Sequence, residues 1–209
     1  MIEYRNISIE FDGKNILKDF NLAIAKGSKV LFYGKSGLGK SVLFKLILGF
    51  LLPKNGEIFI EGEPLTSKSA WELRKRIAYV SQEVDLGSGK VEAAVKNIFA
   101  YKANSHLCYD REELVSLMKQ FDLPAELIAK EITSLSGGER QRLAIIMAIL
   151  LQRKVFLLDE ATAALDSRLK EKVIDFFMAN STWTVLVISH DKEWLEDKRI
   201  EVLNLEEMI

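Results

Sequence analysis

The stretch "GKSGLGKS", residues 34–41, sets Gly34, Gly37 and Gly39 among Lys35, Ser36 and Leu38 and ends on Lys40 and Ser41. That is the spacing of a phosphate-binding loop. Glycines let backbone N–H groups curl round a phosphate, and the helix that follows adds its partial positive charge. Lys40 is placed to reach the β- and γ-phosphates of a nucleoside triphosphate, and the Ser41 hydroxyl to ligate Mg2+. The metal and an attacking water also need carboxylates. "VFLLDE" supplies them as Asp159 and Glu160, at the end of an apolar run. Asp159 suits the metal shell, and Glu160 suits a general base that polarises water. A further apolar run ends in "VISHD" and brings His190 to the same edge. A glycine-rich turn, an acidic helix cap or a structural histidine would each explain one of these segments, but none explains all three together.

A second glycine-bearing segment, "LSGGERQR" at residues 135–142, precedes a long apolar run. Ser136 with Glu139 three residues on is a capping box, which by itself predicts a well-capped helix. A capping box needs no glycine, and paired glycines weaken a helix. The expected use of Gly137 and Gly138 is therefore close approach of a ligand to the backbone.

These residues need a scaffold. Ile7, Ile9 and Phe11 alternate with Ser8 and Glu10, the period of a half-buried strand. A turn at Asp12-Gly13 and a second strand over 16–24 complete an antiparallel region. Residues 30–33, 155–158 and 185–188 are continuously apolar and rich in branched side chains, as strands buried on both faces of a parallel sheet must be. Helical patterns lie between them, so the fold class is α/β, with a P-loop core and a mostly parallel central sheet. Residues 83–135 break the rhythm. They carry Leu114, Leu117, Met118 and Phe121 at helical spacing behind a cap at Asp110, and Pro124 ends that pattern. The expectation is a single domain over 1–209, with a core of 1–82 and 136–209. A helical subdomain of about 83–135, plus the start of the following helix, is inserted into it.

Of 209 residues, 48% are hydrophobic and 28% charged, as in an ordinary folded domain. A net charge of −1 gives no reason to expect nucleic acid as a partner. The apolar runs at 143–151 and 46–52 are too short to span a bilayer, and the N-terminus shows no basic segment leading into an apolar one. The one cysteine, Cys108, excludes an internal disulfide framework. A cytoplasmic location is expected. His106, Cys108 and Asp110 lie close in sequence but form an incomplete metal-ligand set.

The order of P-loop, Gln82, "LSGGERQR", "LLDEATAALD" and His190 resembles the ABC-type ATPases from end to end. The signature segment is what discriminates, because a P-loop kinase or GTPase leaves residues 135–142 unexplained. The resemblance implies ATP and Mg2+ as ligands, with the nucleotide held by residues 34–42 and Phe11 against adenine. It implies that Gln82 senses the metal and the γ-phosphate, that His190 contacts the γ-phosphate, and that Glu160 and Lys40 serve hydrolysis. Leu135, Ser136, Gly137, Gly138 and Glu139 would bind the nucleotide of a second subunit, and Asp166 would contact that subunit. A head-to-tail pair follows, more readily a homodimer than a heterodimer. A separate membrane permease would hold the pair at the cytoplasmic face of the membrane, its helix received in the groove near residues 82–89. Relatives without a permease act in repair, translation or assembly. They usually carry long coiled coils, tandem domains or cluster-binding cysteines, and this sequence has none of these. Val42 stands where the family usually has a second hydroxyl residue, which puts one α-phosphate contact in doubt, and Ala163 replaces a common serine in the loop before Asp166. The segment from 121 to 142 also resembles stand-alone ATPase subunits of metal-ion (iron) exporters.

Overall fold

Sheet residues buried on both faces have to be apolar at every position, and three runs of this chain meet that demand side by side. In the computed structural model the described residues are 1–11 and 13–208, the side chains of Phe11 and Lys14 excepted. In chain order they form β1 (Ile2–Phe11), β2 (Lys14–Ile24), β3 (Lys29–Tyr33), α1 (Lys40–Ile47), β4 (Asn55–Ile60), β5 (Glu63–Pro64), α2 (Ala70–Arg74) and β6 (Ile77–Val80). Then follow α3 (Val91–Ala100), α4 (Arg111–Gln120), α5 (Gly137–Leu150), β7 (Val155–Asp159), α6 (Ser167–Ala179), β8 (Thr184–Ile188), α7 (Lys192–Leu195) and β9 (Glu201–Asn204).

A five-stranded sheet runs β6-β7-β8-β3-β9, parallel throughout. Its centre is the three apolar runs. Alternate side chains enter two different cores, which is why no position in them is polar on its outer face. Leu31, Phe156, Leu158, Val185 and Val187 pack under the helices α3 to α6. Val30, Phe32, Leu157, Leu186 and Ile188 pack on the opposite side with α1 and a second sheet. That sheet is antiparallel, in the order β2-β1-β4-β5. Tyr4 of β1 donates its hydroxyl to the Leu43 carbonyl of α1 at 3.0 Å, which ties this sheet to the P-loop helix.

Of the flanking strands, β6 (Ile-Ala-Tyr-Val) is apolar throughout, while β9 has a polar residue at each end. Tyr79 in β6 and Val202 in β9 are exposed, as side chains on flanking strands can be. Within residues 83–135 lie α3, α4 and short 3-10 turns at Lys102–Asn104, Ala125–Ala129 and Ile132–Ser134. The Asp110 carboxylate caps α4 by accepting from the Glu112 and Glu113 N–H groups at 2.8 and 3.4 Å. Leu114, Leu117, Met118 and Phe121 are buried. Arg142 of α5 donates to the Phe121 and Asp122 carbonyls at 3.1 and 2.8 Å. The Asp122 carboxylate in turn pairs with Lys172 and Arg168 of α6 at 2.6 and 2.8 Å.

Leu186 lies fully buried in β8, at the middle of the sheet. Leu186→Ala is expected to cost about 2–5 kcal/mol. Urea unfolding checks this as a lower midpoint with an unchanged slope.

Candidate functional site

The chain reverses sharply between β3 and α1, and Gly39 is one residue that permits it. Its φ of 86° is left-handed, and a Cβ there would stand 2.7 Å from the Ile16 side chain. Gly39 is also the residue before α1, so the loop delivers its N–H groups and the helix start to one point. The Lys40 ammonium turns back to donate to the Gly34 and Lys35 carbonyls at 2.6 and 2.9 Å. Burial lowers its pKa below that of a free lysine, while Glu160 and Asp159 pull the other way.

A cleft of about 420 Å³ opens over this loop at the C-terminal edge of the parallel sheet. It brings together Ser36, Gly37, Gly39, Lys40, Ser41 and Val42 from the loop, Gln82 from beyond β6, Asp159 and Glu160 from β7, and His190 from beyond β8. Parallel strands all end at this edge, where open α/β sheets collect ligands. Gly34, Lys35 and Leu38 belong to the same loop but do not line the cleft. The Phe11 side chain lies outside the described residues, as does Asp12 of the expected turn.

Asp159 is buried, and its Oδ1 has no hydrogen-bond partner among the described residues. Its Oδ2 accepts from the Tyr79 hydroxyl at 3.3 Å. Burial raises the Asp159 pKa, against the Tyr79 hydrogen bond, the nearby Ser41 hydroxyl and the Lys45 and Lys40 charges. An orphaned carboxylate oxygen beside the Ser41 hydroxyl and a phosphate cradle is the donor set a hard cation takes when phosphate oxygens complete its shell. Among the described residues no group of three or more His, Cys, Asp or Glu could cage a metal unaided, and His106, Cys108 and Asp110 form no such group.

Glu160 follows β7 with φ at 49°, an uncommon left-handed conformation for a non-glycine residue. The turn is gripped at both polar groups. Its N–H donates to the Ile188 carbonyl at 2.8 Å, and its carbonyl accepts from the Ala163 N–H at 3.1 Å. The buried Gln141 amide of α5 adds a longer contact to that carbonyl at 3.4 Å. The side chain thereby faces His190, with Oε1 3.8 Å from Nε2. Burial raises the Glu160 pKa, and His190 opposes the rise. An anion cradle thus faces two carboxylates and an imidazole across one cleft, an arrangement suited to polarising water beside a bound phosphate.

Residues 135–139 lie elsewhere, and none of them lines this cleft. Leu135 is buried, and Ser136 caps α5 with the capping box complete: its hydroxyl accepts from the Glu139 N–H at 3.3 Å, and its own N–H donates to Glu139 at 2.7 Å. The two glycines differ in their surroundings. A Cβ on Gly137 would meet nothing within 4 Å, as ligand approach requires. A Cβ on Gly138 would sit 3.0 Å from the Ala164 carbonyl, so a close contact within the chain also calls for glycine there. Asp166 caps α6, its carboxylate accepting from the Leu169 N–H at 2.9 Å.

Sequence reasoning missed Tyr79, Gln141 and Glu206. The Glu206 carboxylate accepts from the Lys35 N–H at 3.1 Å at the back of the P-loop. Tyr79 reads as an ordinary strand aromatic, and the other two act through contacts that only the fold creates.

Fold and site together define a P-loop ATPase of the nucleotide-binding-cassette type. Residues 17–163 match the family model described as "ABC transporter", and the chain belongs to that family. It is 34% identical over 94% of its length to the "ATP-dependent lipid A-core flippase" of Haemophilus influenzae, and spans 35% of that longer protein. It is 30% identical over 92% of its length to the "Probable iron export ATP-binding protein FetA" of Escherichia coli, and spans 86% of it. A dimeric ATP-binding cassette solved in a post-hydrolysis state with ADP and phosphate superposes with a TM-score of 0.79 at 27% identity, covering 92% of this chain and 89% of that one. The chain is an ATP-binding, ATP-hydrolysing member of the family.

The glycine pair makes a direct test. Gly137→Ala is expected to leave the melting temperature unchanged or raise it slightly. Gly138→Ala forces the loop at Ala164 to give way, and is expected to melt below it. Equal melting temperatures would remove the distinction.

Proposed function

We propose that this chain powers transport across a membrane by closing and opening as a head-to-tail pair, with ATP and Mg2+ held between the two copies. The observation that carries the reading is the position of α5. Its exposed, glycine-bearing start suits an anion, yet it lies outside the cleft of its own chain. A second copy turned head to tail would bring Ser136, Gly137 and Gly138 to the γ-phosphate held by Lys40, and Asp166 to the facing chain. The ATP phosphates then attract two helix starts at once, and hydrolysis removes part of that attraction.

Within each site, Lys40 leaves the loop carbonyls to hold the β- and γ-phosphate oxygens. Asp159, Ser41 and Gln82 would hold Mg2+, which when bound offsets the negative charge on those oxygens. Glu160 orients and deprotonates the attacking water, and His190 steadies the γ-phosphate. Phe11 is assigned to adenine. In this reading the helical block 83–135 with the start of α5 is a subdomain that delivers the signature residues to the partner.

The membrane-spanning partner is proposed to be a separate polypeptide, at whose cytoplasmic face this chain sits. In support, no helix among the described residues is long and apolar enough to cross a membrane, and the chain spans most of the iron export relative. An apolar groove beside residues 79–86 would receive a short segment of that partner. Copies are assigned as a homodimer, because each chain carries every group the composite site uses.

Glu160→Gln with ATP and Mg2+ is expected to elute as a stable dimer in size exclusion. A monomer at saturating ATP would contradict the paired mechanism. Ser136→Arg is expected to abolish turnover while nucleotide affinity stays within about threefold of wild type, since a loss confined to the partner's site leaves the P-loop intact. Recovery of an integral membrane protein with the tagged chain from detergent-solubilised membranes tests the transport role, and a chain recovered only from the soluble fraction would count against it.

A further inference from the structure

Asp191 directly follows His190 and stands just before α7, where an aspartate ordinarily caps the helix. Here its carboxylate makes no capping bond and turns to two other elements. Oδ2 accepts from the Thr162 hydroxyl at 2.8 Å, and Oδ1 accepts from the Lys170 ammonium of α6 at 2.5 Å. Thr162 is fully buried, and the Trp194 indole N–H of α7 donates to the same hydroxyl at 2.9 Å. With Trp194 as donor, the hydroxyl proton is left for Asp191, which fixes the direction of that bond. The Lys170 and Asp191 side chains are each 15% exposed, so the pair is sheltered in a way that loose surface ion pairs are not.

His190 lies between two attachments of its loop to the segment that follows β7. Upstream, the Ile188 carbonyl accepts from the Glu160 N–H at 2.8 Å; downstream stands the bond between Asp191 and Thr162. The imidazole itself is 47% exposed and meets the Tyr33 ring at an edge, with centroids 6.2 Å apart, so packing restrains it on one side only. We propose that Asp191 is a positioning residue for His190, joining Thr162 and Lys170 so that the loop over 188–191 is fixed against 160–166 and α6. The inference rests on the reading of His190 as the γ-phosphate contact. The physical cause is mechanical: a loop held at one point pivots about it, and a loop held on both sides of a residue does not. A displacement of about 1 Å at such a contact can slow turnover on the order of a hundredfold. Thr162, Lys170 and Asp191 do not line the nucleotide cleft, so the P-loop keeps its hold on ATP when the link is cut.

The test is ATP hydrolysis by the intact chain with Mg2+, read beside ATP affinity and melting temperature. Thr162→Val keeps the shape and removes the hydroxyl, and Asp191→Ala removes the carboxylate. Each is expected to lower kcat about tenfold or more, with the ATP dissociation constant within about twofold of wild type. Thr162→Ser restores the hydroxyl and is expected to recover most of the turnover. Both residues serve one link, so the double variant is expected to lose no more than the worse single one. Losses that multiply, or full turnover in Thr162→Val, would overturn the proposal. Trp194→Phe removes the other partner of the hydroxyl and spares the link. Its melting temperature is expected to fall while kcat stays within about twofold of wild type; a kcat that fell in step with stability would overturn the proposal. Should Thr162→Val not fold, Lys170→Met frees the same carboxylate from its other side and is expected to lower kcat about threefold or more, and an unchanged kcat there would overturn it. His190→Ala separates the underlying reading: wild-type turnover in that variant would place the fault in the assignment of His190.

Discussion

Strand β8 pairs in parallel with β7 on one side and β3 on the other, and all five of its side chains are buried. Everything the site uses hangs from the ends of these three strands. The P-loop leaves β3, the acidic pair ends β7, and His190 follows β8, so parallel pairing brings three segments, the first far from the other two in sequence, to one edge. The backbone adds a local lock: the Ile188 carbonyl at the end of β8 accepts from the Glu160 N–H and holds that residue in its left-handed turn. Hydrophobic burial thus sets the positions of charged groups it never touches.

A second consequence concerns the charges themselves. The same burial that fixes Asp159, Glu160 and Lys40 disfavours their ionised forms and shifts the carboxyl pKa values up and the lysine down. Opposite charges in one cleft oppose those shifts, and Lys40 also leans on two loop carbonyls. Such a site holds its charges partly desolvated, and this strengthens their action on bound phosphate and water.

Much of this was legible in the residues alone. The P-loop, "VFLLDE" and "VISHD" each end a run that is apolar at every position, and that pattern has one structural solution when helices intervene. Capping at Asp110, Ser136 and Asp166 was legible too, because caps are set by residues within four positions. What stayed hidden depends on neighbours far along the chain. Strand β9 has a polar residue at each end and gives no unbroken run. Gly138 reads like Gly137 until the loop at Ala164 is seen against it. Tyr79 looks like core until its hydroxyl is found on Asp159.

The central claim is that one working site is built from two chains, with the P-loop of one facing the signature of the other. Mixing two variants tests it most directly. Lys40→Ala disables the cradle and Ser136→Arg the signature, so neither alone should turn over ATP. In a mixture, a mixed pair joins the intact cradle of one variant to the intact signature of the other. The account predicts that Mg2+-dependent ATP hydrolysis, absent from each preparation, appears on mixing and grows with the fraction of mixed pairs. Continued inactivity of a mixture shown to contain mixed pairs would contradict it.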